Sequence, residues 1–158
     1  MGFIKKIVHF LAILSYILII IYALICGPIL VGYYPLVILT GSMEPSFKTG
    51  SVIYYQKVQE SELKVGDAIT FYTVDNEIVT HRIVSINDGL FETKGDANNV
   101  SDLNKVRYSD ILGRDLNISI IYIGFFINFI NNYLIYSISA VVLILLLEFL
   151  FSNFDFIK

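Results

Sequence analysis

Two long apolar runs constrain this chain more than any other feature. Ile7 to Ile25 contains no formally charged residue, and Tyr133 to Phe151 contains one, Glu148. A helix needs roughly 17 or more apolar residues to cross a hydrocarbon core, so both runs are expected to be transmembrane helices. A hydrophobic share of 56 % over 158 residues, far above that of soluble domains, agrees. Glu148 falls near the end of its run, where its carboxylate is expected to reach the interface. Lys5 and Lys6 precede the first run, and by the positive-inside bias they place the N-terminus in the cytoplasm. The polar middle then lies outside, and Lys158 returns to the cytoplasm. The first run is too long for a cleavable leader and lacks a small-x-small site after it. Cys26 lacks the small preceding residues that a lipid-modified cysteine requires, so the run reads as an uncleaved anchor with Cys26 as an apolar filler.

Between the two runs the composition changes. From Ser42 to Asn117 there are eight Lys/Arg against twelve Asp/Glu with no basic cluster, which argues against nucleic acid as a partner. One cysteine excludes a disulfide framework and a thiolate metal cluster. Short β-like runs alternate with turn residues. Val31 to Leu39 is expected to be an extended entry strand, followed by strands at Val52–Tyr55, Ala68–Thr73, Ile78–Val84, Leu90–Thr93 and Ile111–Leu116. Asp75-Asn76 and Asn87-Asp88-Gly89 supply turns, the latter a strong hairpin signal. Lys94 to Lys105 reads as a loop held by Asp and Asn side chains. Ile118 to Ile130 is apolar but too short to cross alone, and is expected to be strand plus interfacial segment. The expected organisation is an anchor at 1–30, a β-rich domain at 31–117, an apolar membrane-proximal segment at 118–132, and a second membrane helix with a short tail at 133–158.

The chemistry centres on Thr40-Gly41-Ser42-Met43-Glu44-Pro45, the opening of the polar region. Gly41 and Pro45 disfavour a regular helix here and predict an exposed turn presenting Ser42. A serine hydroxyl needs a neighbouring base to act as a nucleophile. His9 lies within the first apolar run, so His81 is the one imidazole in the polar region. On an alternating strand His81 shares a face with Val79 and Ile83, while Thr80 and Arg82 point the other way. The residues alone leave open whether His81 is a base or a packed core histidine. Lys94-Gly95-Asp96-Ala97-Asn98-Asn99-Val100-Ser101-Asp102 holds carboxylates that would orient a histidine, although for Asp96, Asn98 and Asn99 the expected work is to cap backbone N–H groups of their own loop. Val100 stands where a calcium loop of the EF-hand kind needs an oxygen ligand.

Thr40-Gly41-Ser42-Met43-Glu44-Pro45-Ser46, Gly66-Asp67 before a hydrophobic strand, Thr80-His81-Arg82-Ile83-Val84 and Thr93-Lys94-Gly95-Asp96-Ala97-Asn98-Asn99 together resemble, in order and spacing, the motifs of type I signal peptidases. His81-Arg82, in place of a lysine followed by arginine, resembles the archaeal and endoplasmic-reticulum branch. The resemblance implies a mainly β catalytic domain of signal peptidase type, flanked by two transmembrane α-helices, in a membrane-bound serine endopeptidase that needs no cofactor or metal. It implies Ser42 as nucleophile, His81 as general base, Asp102 as the acidic member, Asp96 as a supporting structural carboxylate and Thr40 as an oxyanion donor. The implied partners are signal peptides of exported preproteins, the lipid bilayer and the secretion translocon. The implied location is the plasma membrane, multi-pass, with the catalytic domain extracytoplasmic. Two rivals stand beside it: a non-catalytic membrane-anchored β-domain that binds a partner, and a self-processing serine–lysine protease, for which Lys64 is the candidate lysine.

Overall fold

A computed structural model describes residues 2–153. Met1 and residues 154–158, the tail with Lys158, lie outside the described residues. The chain divides into two compact units, one formed by its two ends and one by residues 28–126.

The terminal unit holds two apolar helices, α1 (Gly2–Cys26) and α3 (Leu134–Asn153), each long and apolar enough to cross a membrane. The two helices pack on each other. On α1 the buried stripe is Val8, Ala12 and Ser15, at helical spacing. Ala12 and Ser15 are small, which lets a neighbouring helix approach closely. Ser15 donates its hydroxyl to the Leu11 carbonyl at 2.9 Å, so its polar atom is satisfied within the helix. The Glu148 carboxylate lies 2.7 Å from His9 Nδ1 on α1. Two polar groups that would each be costly in hydrocarbon thus meet one another.

The middle unit is a seven-stranded sheet, antiparallel at every pairing, in the order β1-β2-β7-β3-β4-β5-β6. Its strands are β1 (Tyr33–Val37), β2 (Val52–Gln56), β3 (Ala68–Tyr72), β4 (Ile78–Asn87), β5 (Leu90–Lys94), β6 (Val106–Arg107) and β7 (Ile111–Ile120). A short 3-10 helix, Gly27–Val31, precedes β1, so the extended segment begins two residues later than the apolar pattern suggested. The β4–β5 hairpin turns where Asn87-Asp88-Gly89 predicts it. Asp88 and Gly89 take φ of 54° and 73°, the left-handed pair that a two-residue hairpin turn requires. After Ile120 the chain enters a short helix, α2 (Gly124–Asn132), too short to span a bilayer.

Hydrophobic side chains alternate across the sheet and make two cores. On β3, Ile69 and Phe71 join Leu63, Ile83, Phe91 and Val106, whereas Ala68 joins Ile38, Met43, Phe47 and Ile53. Successive strand residues point to opposite faces, so the two clusters lie on opposite sides of β3. The alternation places the site. His81 is paired with Ile69 and faces the first core, while Thr80 is paired with Thr70, to which it is hydrogen-bonded at 2.8 Å, and faces the second.

Candidate active site

Ser42 sits on a loop that leaves the sheet at Ile38 and returns at Ser51. Its ends are tied by Ile38 N–H to the Ser51 carbonyl at 2.9 Å and Gly50 N–H to the Ile38 carbonyl at 2.8 Å. Met43 and Phe47 are buried in the second core and hold the loop down, which leaves Ser42 between them and the solvent. The turn is non-helical, as Gly41 and Pro45 suggested, and the Glu44–Pro45 peptide is cis. Inside the loop Glu44 accepts hydrogen bonds from the Thr49 N–H at 3.2 Å and the Thr49 hydroxyl at 3.0 Å. Those bonds hold the Glu44 carboxyl below its usual pKa.

The loop delivers Ser42 Oγ to within 3.2 Å of His81 Nε2, and His81 Nδ1 lies 2.7 Å from Asp102 Oδ2. An ionised carboxylate only accepts, so Nδ1 carries the proton and Nε2 is left with its lone pair towards the serine. The Ser42 hydroxyl then donates to Nε2. His81 is buried, with its ring edge-on to Phe71 at 6.4 Å, which leaves the imidazole little freedom to turn. Thr40 Oγ1 stands 3.4 Å from Ser42 Oγ, beside the hydroxyl rather than remote from it.

Asp96 is elsewhere, and the expected capping role is corrected by the geometry. Its carboxylate is gripped by Arg82, with Nε donating to Oδ1 at 2.8 Å and Nη2 to Oδ2 at 2.6 Å. Arg82 also donates to the Gly66 carbonyl at 2.8 Å and to Ser46 Oγ at 3.4 Å, so one guanidinium joins the turn before β3, the Ser42 loop and the 95–102 loop. The hydrogen bonds from Arg82 pull the Asp96 carboxyl below its ordinary range despite partial burial. Lys64 is exposed, in the turn where its backbone N–H donates to the Asp67 carboxylate.

Two contributors were missed in the sequence. Thr93, fully buried on β5, donates its hydroxyl to Asp102 Oδ2 at 2.6 Å. Gly95 runs against the Ser42 loop. A Cβ there would fall 2.6 Å from the Ser42 carbonyl oxygen, and the same oxygen accepts the Ala97 N–H at 2.9 Å. A glycine before an aspartate was visible as a turn signal, but nothing local marks an inward threonine on an alternating strand as the neighbour of a carboxylate.

A nucleophile-type hydroxyl, an imidazole with its lone pair aimed at it and a carboxylate behind the imidazole form an arrangement suited to acyl transfer. No family model matches the chain. It is 46% identical over 80 residues to signal peptidase I W of Bacillus subtilis (strain 168), a match covering 48% of this chain and 42% of that protein. It is 29% identical over 110 residues to the signal peptidase complex catalytic subunit SEC11C of Homo sapiens, covering 61% and 57%. It is 40% identical over 73 residues to the signal peptidase complex catalytic subunit sec11 of Dictyostelium discoideum, covering 42% and 40%. The chain spans about half the length of the curated relatives it matches. Its similarity is thus to signal peptidases of both bacterial and eukaryotic origin, carried on an antiparallel sheet with an apolar helix at each end of the chain.

Proposed function

We propose that this chain is a membrane-bound serine endopeptidase that removes signal peptides from exported preproteins. The observation that carries the reading is the unbroken line of contacts from Ser42 Oγ through His81 to Asp102. In the first step Ser42 Oγ attacks the scissile carbonyl carbon, and His81 Nε2 takes the hydroxyl proton. Asp102 stabilises the imidazolium that forms. The oxyanion is held by the Ser42 backbone N–H with Thr40 Oγ1, whose place beside Ser42 Oγ puts a hydroxyl donor near the developing charge. As the tetrahedral intermediate collapses, His81 returns the proton to the leaving amine and the mature chain departs. Water, deprotonated by the same imidazole, then attacks the Ser42 ester and frees the signal peptide.

Both apolar helices are read as transmembrane, with the catalytic unit extracytoplasmic at the plasma membrane. A substrate whose apolar core lies in the same bilayer meets the enzyme at a high local concentration, and the secretion translocon is the natural supplier. Asp96 supports the site through Arg82 rather than through His81. The serine–lysine alternative has no support in the geometry, since an imidazole occupies the base position at Ser42 and Lys64 is exposed in its turn.

The test is direct. The detergent-solubilised protein is incubated with a preprotein and the new N-terminus is sequenced. Cleavage at one site after the signal peptide, abolished by Ser42→Ala, is the expected result. Cleavage at wild-type rate by Ser42→Ala would remove the nucleophile assignment, and absence of cleavage by the wild type would favour the non-catalytic β-domain.

A further inference from the structure

Thr93 makes two hydrogen bonds to a single residue. Its hydroxyl donates to Asp102 Oδ2 at 2.6 Å, and its carbonyl accepts the Asp102 N–H at 2.8 Å. The carboxylate oxygen that it holds is the same Oδ2 that lies 2.7 Å from His81 Nδ1. We propose that Thr93 is a positioning residue for the Ser42–His81–Asp102 array, fixing the Asp102 carboxylate in the one orientation that serves His81.

Three features carry this. The Thr93 side chain has no exposed surface, so its hydroxyl has no water to turn to and a lost partner would leave a buried polar group unsatisfied. Asp102, by contrast, sits in a loop with its side chain 25% exposed, where water competes for the carboxylate unless a protein donor holds it. Finally, Thr93 is paired with Ile83 on β4, two residues beyond His81, so the imidazole and its carboxylate are referenced to the same pair of strands. A backbone bond sets where Asp102 begins, and a side-chain bond sets where its oxygen ends.

The consequence is on turnover. The carboxylate selects the Nδ1–H tautomer and stabilises imidazolium only while Oδ2 stays at hydrogen-bond distance, and small displacements of such groups are costly in rate. The kinetic part of this inference rests on the peptidase reading, whereas the geometric part does not.

Thr93→Val, nearly isosteric but without the hydroxyl, and Thr93→Ser, which retains it, separate the possibilities in the full-length protein. Loss of a charge-assisted hydrogen bond is expected to lower kcat for preprotein cleavage roughly ten- to hundredfold in Thr93→Val with KM little changed. Thr93→Ser should restore most of it. In an Asp102→Asn background Thr93→Val should cost little more, because its effect passes through that carboxylate. An equal loss in both backgrounds would overturn the proposal in favour of a packing role.

A second readout needs no turnover. With two histidines in the chain, nitrogen-15 NMR of histidine-labelled protein reports the His81 tautomer directly. In its neutral imidazole the wild type should show the Nδ1–H tautomer, and Thr93→Val a mixture of the two tautomers. If the tautomer shifts in Thr93→Val but the wild type cleaves no preprotein, the positioning role stands and the peptidase reading falls. If the wild type cleaves and Thr93→Val keeps both its kcat and its tautomer, the positioning role falls and the peptidase reading stands.

Discussion

Asp96→Asn isolates the Arg82 clamp from the chemistry proposed at His81. The substitution keeps the size of the side chain and one acceptor oxygen, but it removes the charge that Arg82 grips through two bonds of 2.8 and 2.6 Å. Exposed ion pairs contribute at most about 1 kcal/mol, while breaking a fully buried pair costs about 3–5 kcal/mol. Here the side chains are 28% and 15% exposed, and the guanidinium retains the Gly66 carbonyl, so an intermediate loss of about 2 kcal/mol is expected. For a domain of this size that is a fall in Tm of roughly 8–16 °C. The pH dependence follows from the depressed Asp96 pKa. A carboxyl whose folded pKa lies below its unfolded value stabilises above the unfolded value, and that stabilisation is lost as pH falls through the folded one. Wild-type and Asp96→Asn melting curves should therefore differ at pH 7 and converge well below about pH 4. Thermal circular dichroism at the two pH values, with preprotein cleavage at a permissive temperature, makes the measurement. Activity should stay within a few fold of wild type, whereas Asp102→Asn should lose turnover by orders of magnitude at normal Tm. An unchanged Tm at pH 7, or a gap undiminished in acid, would refute the clamp.

Three other outcomes are expected. Asp115 is buried on β7 with Oδ1 accepting the Asn117 N–H at 2.6 Å and, among the described residues, no hydrogen-bond partner for Oδ2; burial pushes its pKa up to about 6. The folded state therefore holds the proton more tightly, and its contribution declines as pH rises from about 4 towards 6, so Asp115→Asn should be the more stable protein at pH 7.5 by roughly 1–2 kcal/mol; denaturant titration showing the reverse would sink this. Gly95→Ala places a Cβ 2.6 Å from the Ser42 carbonyl, a backbone atom that cannot swing aside, and should lower kcat more than tenfold while the sheet remains visible by circular dichroism. For orientation, protease added outside spheroplasts should digest residues 31–117; protection of that region with an accessible N-terminus would reverse the proposed topology.

Local chemistry made much of this protein legible. Apolar length marks α1 and α3, because the backbone hydrogen bonds of a helix need nothing from a distant part of the chain. Short runs of β-branched and aromatic residues between turn residues mark β2, β3, β4 and β5, and Asn87-Asp88-Gly89 marks the hairpin, since turn preference resides in the turn residues themselves. The resemblance to signal peptidases singled out Ser42, His81 and Asp102, but their mutual distances were not legible in it. Sheet order is set by long-range pairing. Nothing near Ile111 says that β7 inserts between β2 and β3, and nothing near Glu148 says that its partner is His9. The two carboxylates of the 94–105 loop show the limit most clearly. Asp96 and Asp102 lie six positions apart in one polar loop, and either was able to reach His81 as far as sequence spacing goes. The pleat of β4 decides between them. His81 and Arg82 are neighbours that project to opposite faces of the sheet, and the loop leaving β5 offers Asp96 to the face of Arg82 and Asp102, held by Thr93, to the face of His81. That sorting needs β4 and β5 in register, a property of the folded sheet that no short stretch of residues contains.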